Sequence, residues 1–93
     1  MVHPTISRIR DCIRSLNYAV SLHAAEELDD DHLTILDLEN IILTGEIIER
    51  QRDRHTREVK FVVRGVSLDA IKAETVVKFS PNGTLFILTV YVL

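Results

Sequence analysis

The chain has no tryptophan and only one cysteine, one methionine, two prolines and three glycines. A lone Cys12 can form neither an internal disulfide nor a cysteine zinc site. It falls in a helical apolar pattern and reads as a small core residue. Scarce glycine excludes the glycine-rich phosphate loops, and neither GxGxxG nor GxxxxGK(S/T) occurs. No apolar run reaches the roughly 18 residues of a transmembrane helix, so no membrane partner is expected. The first 14 residues lack the unbroken apolar core of a secretory signal. A reducing cytoplasm is the expected compartment. The four histidines, His3, His23, His32 and His55, are scattered without metal-ligand spacing. No metal and no cofactor is expected.

What is present suits one domain over residues 1–93. Apolar residues make up 46% and charged residues 27%, an ordinary globular composition that argues against disorder. The net charge of −3 hides an asymmetry. Residues 26–49 carry nine acids and no lysine or arginine. The next block carries Arg50, Arg52, Arg54, Arg57, Lys60 and Arg64 against Asp53 and Glu58. A local basic block can grip a few phosphates even on an acidic protein. The acidic block suits a basic partner, and the plain alternative for either is a solvated surface.

Helices come first along the chain. Ile6, Ile9, Ile13 and Leu16 recur at helical spacing, so Thr5 to about Leu16 is an amphipathic helix with Thr5 as its cap. Tyr18-Ala19-Val20 reads as a short extended link. Ser21 caps a second, short helix with Leu22, Ala25 and Leu28 on one side. Thr34 and Asp37 form a capping box for a third, whose buried stripe is Ile35, Leu38, Ile41 and Ile42. Thr44-Gly45 stops it, with Gly45 expected in the left-handed conformation.

The period then changes from helix to strand. Strands are expected over 46–50, 58–64, 72–80 and 84–92, with a polar loop at 51–56 and a Pro81-Asn82-Gly83 hairpin turn. The last strand is almost wholly apolar and reads as buried on both faces. Short connections predict antiparallel pairing. The expected architecture is α+β, with two or three N-terminal helices on one face of a four-stranded antiparallel sheet. The other face is left for solvent, ligand or partner.

The order of motifs resembles a bacterial family known as domain-of-unknown-function family 4258, related to the RelE, BrnT and MqsR toxins. The matching elements are Ser21-Leu22-His23-Ala24, Gly45-Glu46-Ile47-Ile48-Glu49, Arg50 with Asp53, and Lys60-Phe61 with Val63 and Gly65. Val76-Val77-Lys78 and Thr89-Val90-Tyr91 complete them, and the likeness covers residues 18–91. The chain departs from many relatives in carrying Glu26-Glu27 where they have an arginine. The resemblance implies a RelE-like fold and a toxin of a type II toxin–antitoxin pair, acting as a metal-independent endoribonuclease on mRNA. It also implies a cognate antitoxin, of the zinc-finger kind.

Metal-free RNA cleavage needs a base for the 2′-hydroxyl, a cation for the charged phosphorane, and an acid for the leaving 5′-oxygen. Lys60 and Arg64 share one face of their strand, because their separation is even. Lys78 interrupts a buried strand, and Tyr91 stands on the last. These four, if in register, can meet on the open sheet face. Lys60 and Lys78 are then catalytic candidates for charge stabilisation, and His23 and Tyr91 for proton transfer. His23 is favoured because a helix N-terminus opposes added positive charge, so its ring can accept a proton. Arg50, Arg52, Arg54, His55, Arg57 and Arg64 are candidates for RNA binding. Two other readings stay open, a non-catalytic interaction module of the same fold and a homodimeric subunit paired through its last strand.

Overall fold

The structure, a computed structural model, describes residues 4–93, so His3 lies outside the described residues. The elements run α1 (Pro4–Arg14), β1 (Tyr18–Val20), α2 (Leu22–Asp30), α3 (Ile35–Thr44), β2 (Glu46–Arg52), β3 (Val59–Val66), β4 (Lys72–Phe79) and β5 (Leu85–Val92). Proline is suited to a first helical turn, so α1 opens at Pro4 and Thr5 lies inside it rather than capping it. Ser21 caps α2 by accepting from the Ala24 amide (3.0 Å). Thr34 and Asp37 close the expected capping box on α3. Asp37 also accepts from the Leu68 amide (3.1 Å), which ties the start of α3 to the β3–β4 turn.

The fold is α+β with three helices, but the sheet is mixed and has five strands in the order β1-β5-β4-β3-β2. The expected four-stranded antiparallel sheet is corrected on both counts. Tyr18-Ala19-Val20, expected as a link, pairs parallel with Leu85-Phe86-Ile87. A parallel pair needs a long crossover, and here α2, α3 and three strands supply it. Three residues are too few to show a period of two. Their partners lie so far along the chain that no local pattern marks them.

The helices cover one face. Ile9, Leu38, Ile41 and Ile42 pack on Val63, Val77, Leu85 and Ile87, all essentially sealed from solvent. Cys12 is part of that core, as expected. The inward side of α2 is Ala24 and Leu28, four residues apart; Leu22, expected inside, is 77% exposed, and Ala25 is exposed too. Ile35 is also turned to solvent. In both cases the apolar residue stands in the first turn, next to the cap and beyond the reach of the sheet.

Gly45 ends α3, but at φ −83° it is extended rather than left-handed. Glycine is needed there for space, since a Cβ would lie 2.5 Å from Val63 Cγ1 and 2.6 Å from the Ile41 carbonyl oxygen. The Tyr18 hydroxyl donates to Glu39 Oε2 (2.5 Å), fixing β1 to α3. Burial, then that carboxylate, pushes the Tyr18 phenol up to about 12.

Two bulges set the faces. Ile48 is the extra residue of β2 against β3, and Leu88 that of β5 against β4. After Leu88 the phase of β5 shifts, so Leu85, Ile87 and Val90 all face the helices. β5 is flanked by β1 and β4 but is not buried on both faces, because Phe86 and Tyr91 are each 37% exposed on the open side.

Candidate functional site

The open face carries its polar residues in rows across the strands. In one row Glu46 pairs with Arg64, Arg64 with Glu74, and Glu74 with Tyr91. Arg64 donates to Glu74 Oε2 through Nε (2.8 Å) and Nη2 (2.6 Å), and the Tyr91 hydroxyl donates to Oε1 (2.5 Å). Both carboxylate oxygens of this buried glutamate are therefore satisfied. The Tyr91 bond and then Arg64 hold the Glu74 carboxyl below its usual range, although burial opposes them. The same bond pushes the Tyr91 phenol up.

A group with a lowered folded pKa stabilises the fold above its unfolded value and loses that contribution as pH falls through the folded value. Glu74 therefore favours the fold at neutral pH, and the contribution fades below the ordinary glutamate value of 4.5. Urea midpoints measured from pH 7 to pH 3 should fall less steeply for Glu74→Gln than for the parent chain. Parallel profiles would mean that the Arg64–Glu74–Tyr91 row does not form.

The next row along the sheet runs Glu49, Val62, Val76 and Thr89, and is apolar only at its centre. Beyond it come the lysines. Phe61 pairs with Val77, where the β3–β4 register ends, and Lys60 and Lys78 each stand one residue beyond that pair. Lys78 faces Phe86 on β5 and its Nζ donates to Glu58 Oε1 (2.9 Å). Glu74 and Lys78 are four residues apart on β4, about 13 Å of extended strand. The structure thus brings Lys60 and Lys78 together, and Arg64 with Tyr91, but holds the two pairs too far apart to serve one phosphate.

Lys78, but not Lys60, lines a pocket of about 460 Å³ at the end of the sheet. Arg8, Arg50, Arg57 and Lys78 line it against one carboxylate, Glu58, with Phe79 and Phe86 among its apolar walls. Arg8 comes from α1, where its guanidinium lies 3.9 Å from the centre of the Phe79 ring. Arg57 comes from the β2–β3 loop. There Asp53 Oδ1 accepts from the His55 (2.8 Å) and Thr56 (3.1 Å) amides, and the Arg57 amide donates to the Asp53 carbonyl (2.9 Å). Those amides hold the Asp53 carboxyl low, with a smaller contribution from Lys60. The tight loop leaves Arg57 at φ +60°, a conformation that side chains rarely adopt. Among the described residues no carboxylate pairs with Arg8, Arg50 or Arg57. Arg52, Arg54 and His55 are exposed beside the pocket without lining it.

His23 stands elsewhere, on the exposed side of α2, with Nε2 3.3 Å from Glu27 Oε1. That oxygen also accepts from the Thr89 hydroxyl (2.6 Å) and the Val90 amide (2.9 Å). Glu27 so completes the edge of β5 beyond the end of β1, and His23 belongs to that clasp. Three acids of the 26–49 block are structural: Glu27, Asp37 at its cap, and Glu39 under Tyr18. Glu26, Asp29, Asp30, Asp31, Glu46 and Glu49 are exposed.

Sequence reasoning missed Arg8, Glu58, Glu74, Phe79 and Phe86. Glu74 had a signal, since it shares the strand phase of Lys78, four residues on in β4; Phe86 had none, because it comes to the face of Tyr91 only through the Leu88 bulge. Arg8 had none, because its neighbour Phe79 is remote in the chain. Among the described residues no cluster suits a metal ion, and no helix is long and apolar enough to cross a membrane. The family model for the domain of unknown function DUF4258 matches residues 20–92. No curated protein and no solved structure matches.

Proposed function

The chain belongs to the domain-of-unknown-function family DUF4258, and from that premise we propose that it is a toxin of a type II toxin–antitoxin pair, a metal-independent endoribonuclease acting on single-stranded mRNA. Kinship with the RelE, BrnT and MqsR toxins is part of the proposal. The observation that carries it is the gathering of Arg8, Arg50, Arg57 and Lys78 at one end of the sheet, on a chain whose net charge is −3.

On this reading Lys60 and Lys78 hold the charge of the phosphorane. A phosphate that takes Lys78 frees the Glu58 carboxylate, which accepts the 2′-hydroxyl proton. The 2′-oxygen bonds to phosphorus, the bond from phosphorus to the 5′-oxygen breaks, and His55 gives that oxygen a proton. The products are a 2′,3′-cyclic phosphate and a 5′-hydroxyl. Arg52 and Arg54 steer the incoming strand. Arg64, Tyr91 and His23 serve the sheet rather than the reaction. The partner is a cognate antitoxin, of the zinc-finger type, seated on the exposed acids of α2.

The test is incubation of a defined single-stranded RNA with the purified protein and EDTA. Cleavage to cyclic-phosphate ends is the expected result. Intact RNA, with and without translating ribosomes, would defeat the proposal.

A second reading, a non-catalytic interaction module, is favoured by one observation. Arg64 and Tyr91 together satisfy both carboxylate oxygens of Glu74, as a structural network does and a resting catalytic set need not. Harmless expression in several hosts, with unimpaired folding, would decide for it.

A further inference from the structure

We propose that the pocket at the end of the sheet holds one unpaired RNA nucleotide, its phosphate on Arg8, Arg50 and Arg57 and its base on the ring of Phe86. The proposal rests on the ribonuclease reading and adds the form of the ligand and the residues that select it.

Four observations point the same way. The cavity, about 460 Å³, falls within the range of small-ligand sites and suits a single nucleotide. Three arginines line it from three separate elements, α1, β2 and the β2–β3 loop. None of the three is neutralised by a carboxylate among the described residues, so their charge is available to an anion. A planar guanidinium matches phosphate oxygens in pairs, as a lysine cannot.

Phe86 supplies the second half of the recognition. It is 37% exposed beside Lys78, with a ring at the pocket wall. Bases stack on such rings without regard to sequence. The neighbouring Phe79 is already covered by the Arg8 guanidinium, which the ring in turn holds in place. A base stacked and paired within a duplex cannot reach Phe86, so the pocket selects single strands. Arg57 shares its left-handed backbone with Leu16, His32 and Ala70. At φ +60° glycine would be the unstrained choice, yet an arginine stands there.

The experiment measures binding of a fluorescein-labelled 2′-O-methyl oligouridylate by anisotropy, with EDTA present. This strand lacks the 2′-hydroxyl nucleophile, so binding is read apart from cleavage. Arg57→Gly removes the charge and relieves the backbone, so it should weaken binding about tenfold while the melting temperature holds or rises. Phe86→Leu keeps the apolar wall but loses the stack, and should also weaken binding about tenfold. Arg8→Gln should reduce the salt slope by about 0.7, the value for one phosphate on a single strand. Arg14→Gln removes an equal charge from an exposed pair with Asp11 and should change little. A duplex of 2′-O-methyl strands should bind far more weakly than the single strand.

Absent binding, or rim variants no weaker than Arg14→Gln, or a duplex bound as tightly, each overturns the pocket. Pocket-dependent binding with no cleavage of an unmodified strand, with or without translating ribosomes, overturns the ribonuclease reading and leaves the pocket standing. Cleavage of unmodified RNA that survives Arg57→Gly and Phe86→Leu does the reverse.

Discussion

A chain carrying both Lys60→Ala and Lys78→Ala is expected to cleave single-stranded RNA at least 100-fold more slowly than the parent, with its stability little changed. The expectation follows from register. Lys60 and Lys78 each stand one residue beyond the Phe61–Val77 pair, on adjacent strands of the open face, where neighbouring strands run about 5 Å apart. Among the described residues Lys78 has a salt-bridge partner, Glu58 at 2.9 Å, while Lys60 acts on Asp53 only by charge at longer range. A phosphorane forming above them gains a negative charge, and fixed cations act on that charge more strongly than on the ground state. Removing one such donor from an enzyme site costs about 10²–10³ in rate. The partners also make the variant safe to fold. Glu58 is left half exposed rather than buried without a cation, so surface screening keeps the cost to stability small. Tyr91→Phe is the informative companion. It removes a bond to Glu74 in the other row and should lower stability while leaving the cleavage rate near that of the parent chain. If Tyr91→Phe abolished cleavage and the lysine pair did not, the reaction centre would lie in the Arg64–Glu74–Tyr91 row instead.

Gly65→Ala should destabilise the fold by about 3 kcal/mol or more, the upper end of overpacking costs. A Cβ on Gly65 would lie 1.9 Å from the Ile41 carbonyl oxygen, 2.8 Å from its carbonyl carbon and 3.0 Å from Gly45 Cα. All three are backbone atoms, so no side chain can rotate aside. Relief requires α3 to lift from β3. That movement would open contacts of Leu38, Ile41 and Ile42, which are fully buried. Gly65 pairs with Ala73 on β4, so two small residues form the floor on which α3 ends. For a domain of this size each kcal/mol is worth roughly 4–8 °C, so the melting temperature should fall by well over 10 °C. Gly83→Asn is the contrasting case. Gly83 needs its φ of +88°, which asparagine tolerates better than most, and its nearest atom is the end of a flexible arginine at 3.9 Å. It should cost far less. Chemical denaturation of both variants reads the difference, and a Gly65→Ala chain as stable as Gly83→Asn would contradict the close α3–β3 approach.

The residues show where sequence reasoning reached and where it stopped. The capping residues Ser21, Thr34 and Asp37, the stripe Ile6-Ile9-Ile13 of α1 and Leu38-Ile41-Ile42 of α3, and the Pro81-Asn82-Gly83 turn were legible, whereas Leu16 and Ile35, expected in those stripes, are exposed. Each depends on groups within a few residues of one another, so each leaves a local pattern. The same holds for the shared face of Lys60 and Arg64, which needs only the alternation of a strand. That the acidic and basic blocks are separate was also written in the chain, and with it the sign of charge at the end of the sheet.

The tertiary structure decided the rest. β1 joined the sheet because Tyr18-Ala19-Val20 found Leu85-Phe86-Ile87 across most of the chain. The Leu88 bulge turned Val90 inward, and nothing near it in sequence announces the change. Register parted Tyr91 from Lys78 and matched Tyr91 to Glu74. Docking of α1 carried Arg8 to Phe79 and so completed a pocket whose other cations were already in view. These outcomes share a cause. They depend on which distant segments pack together, and the free energy of that choice is spread over the whole core, with no single stretch of sequence encoding it.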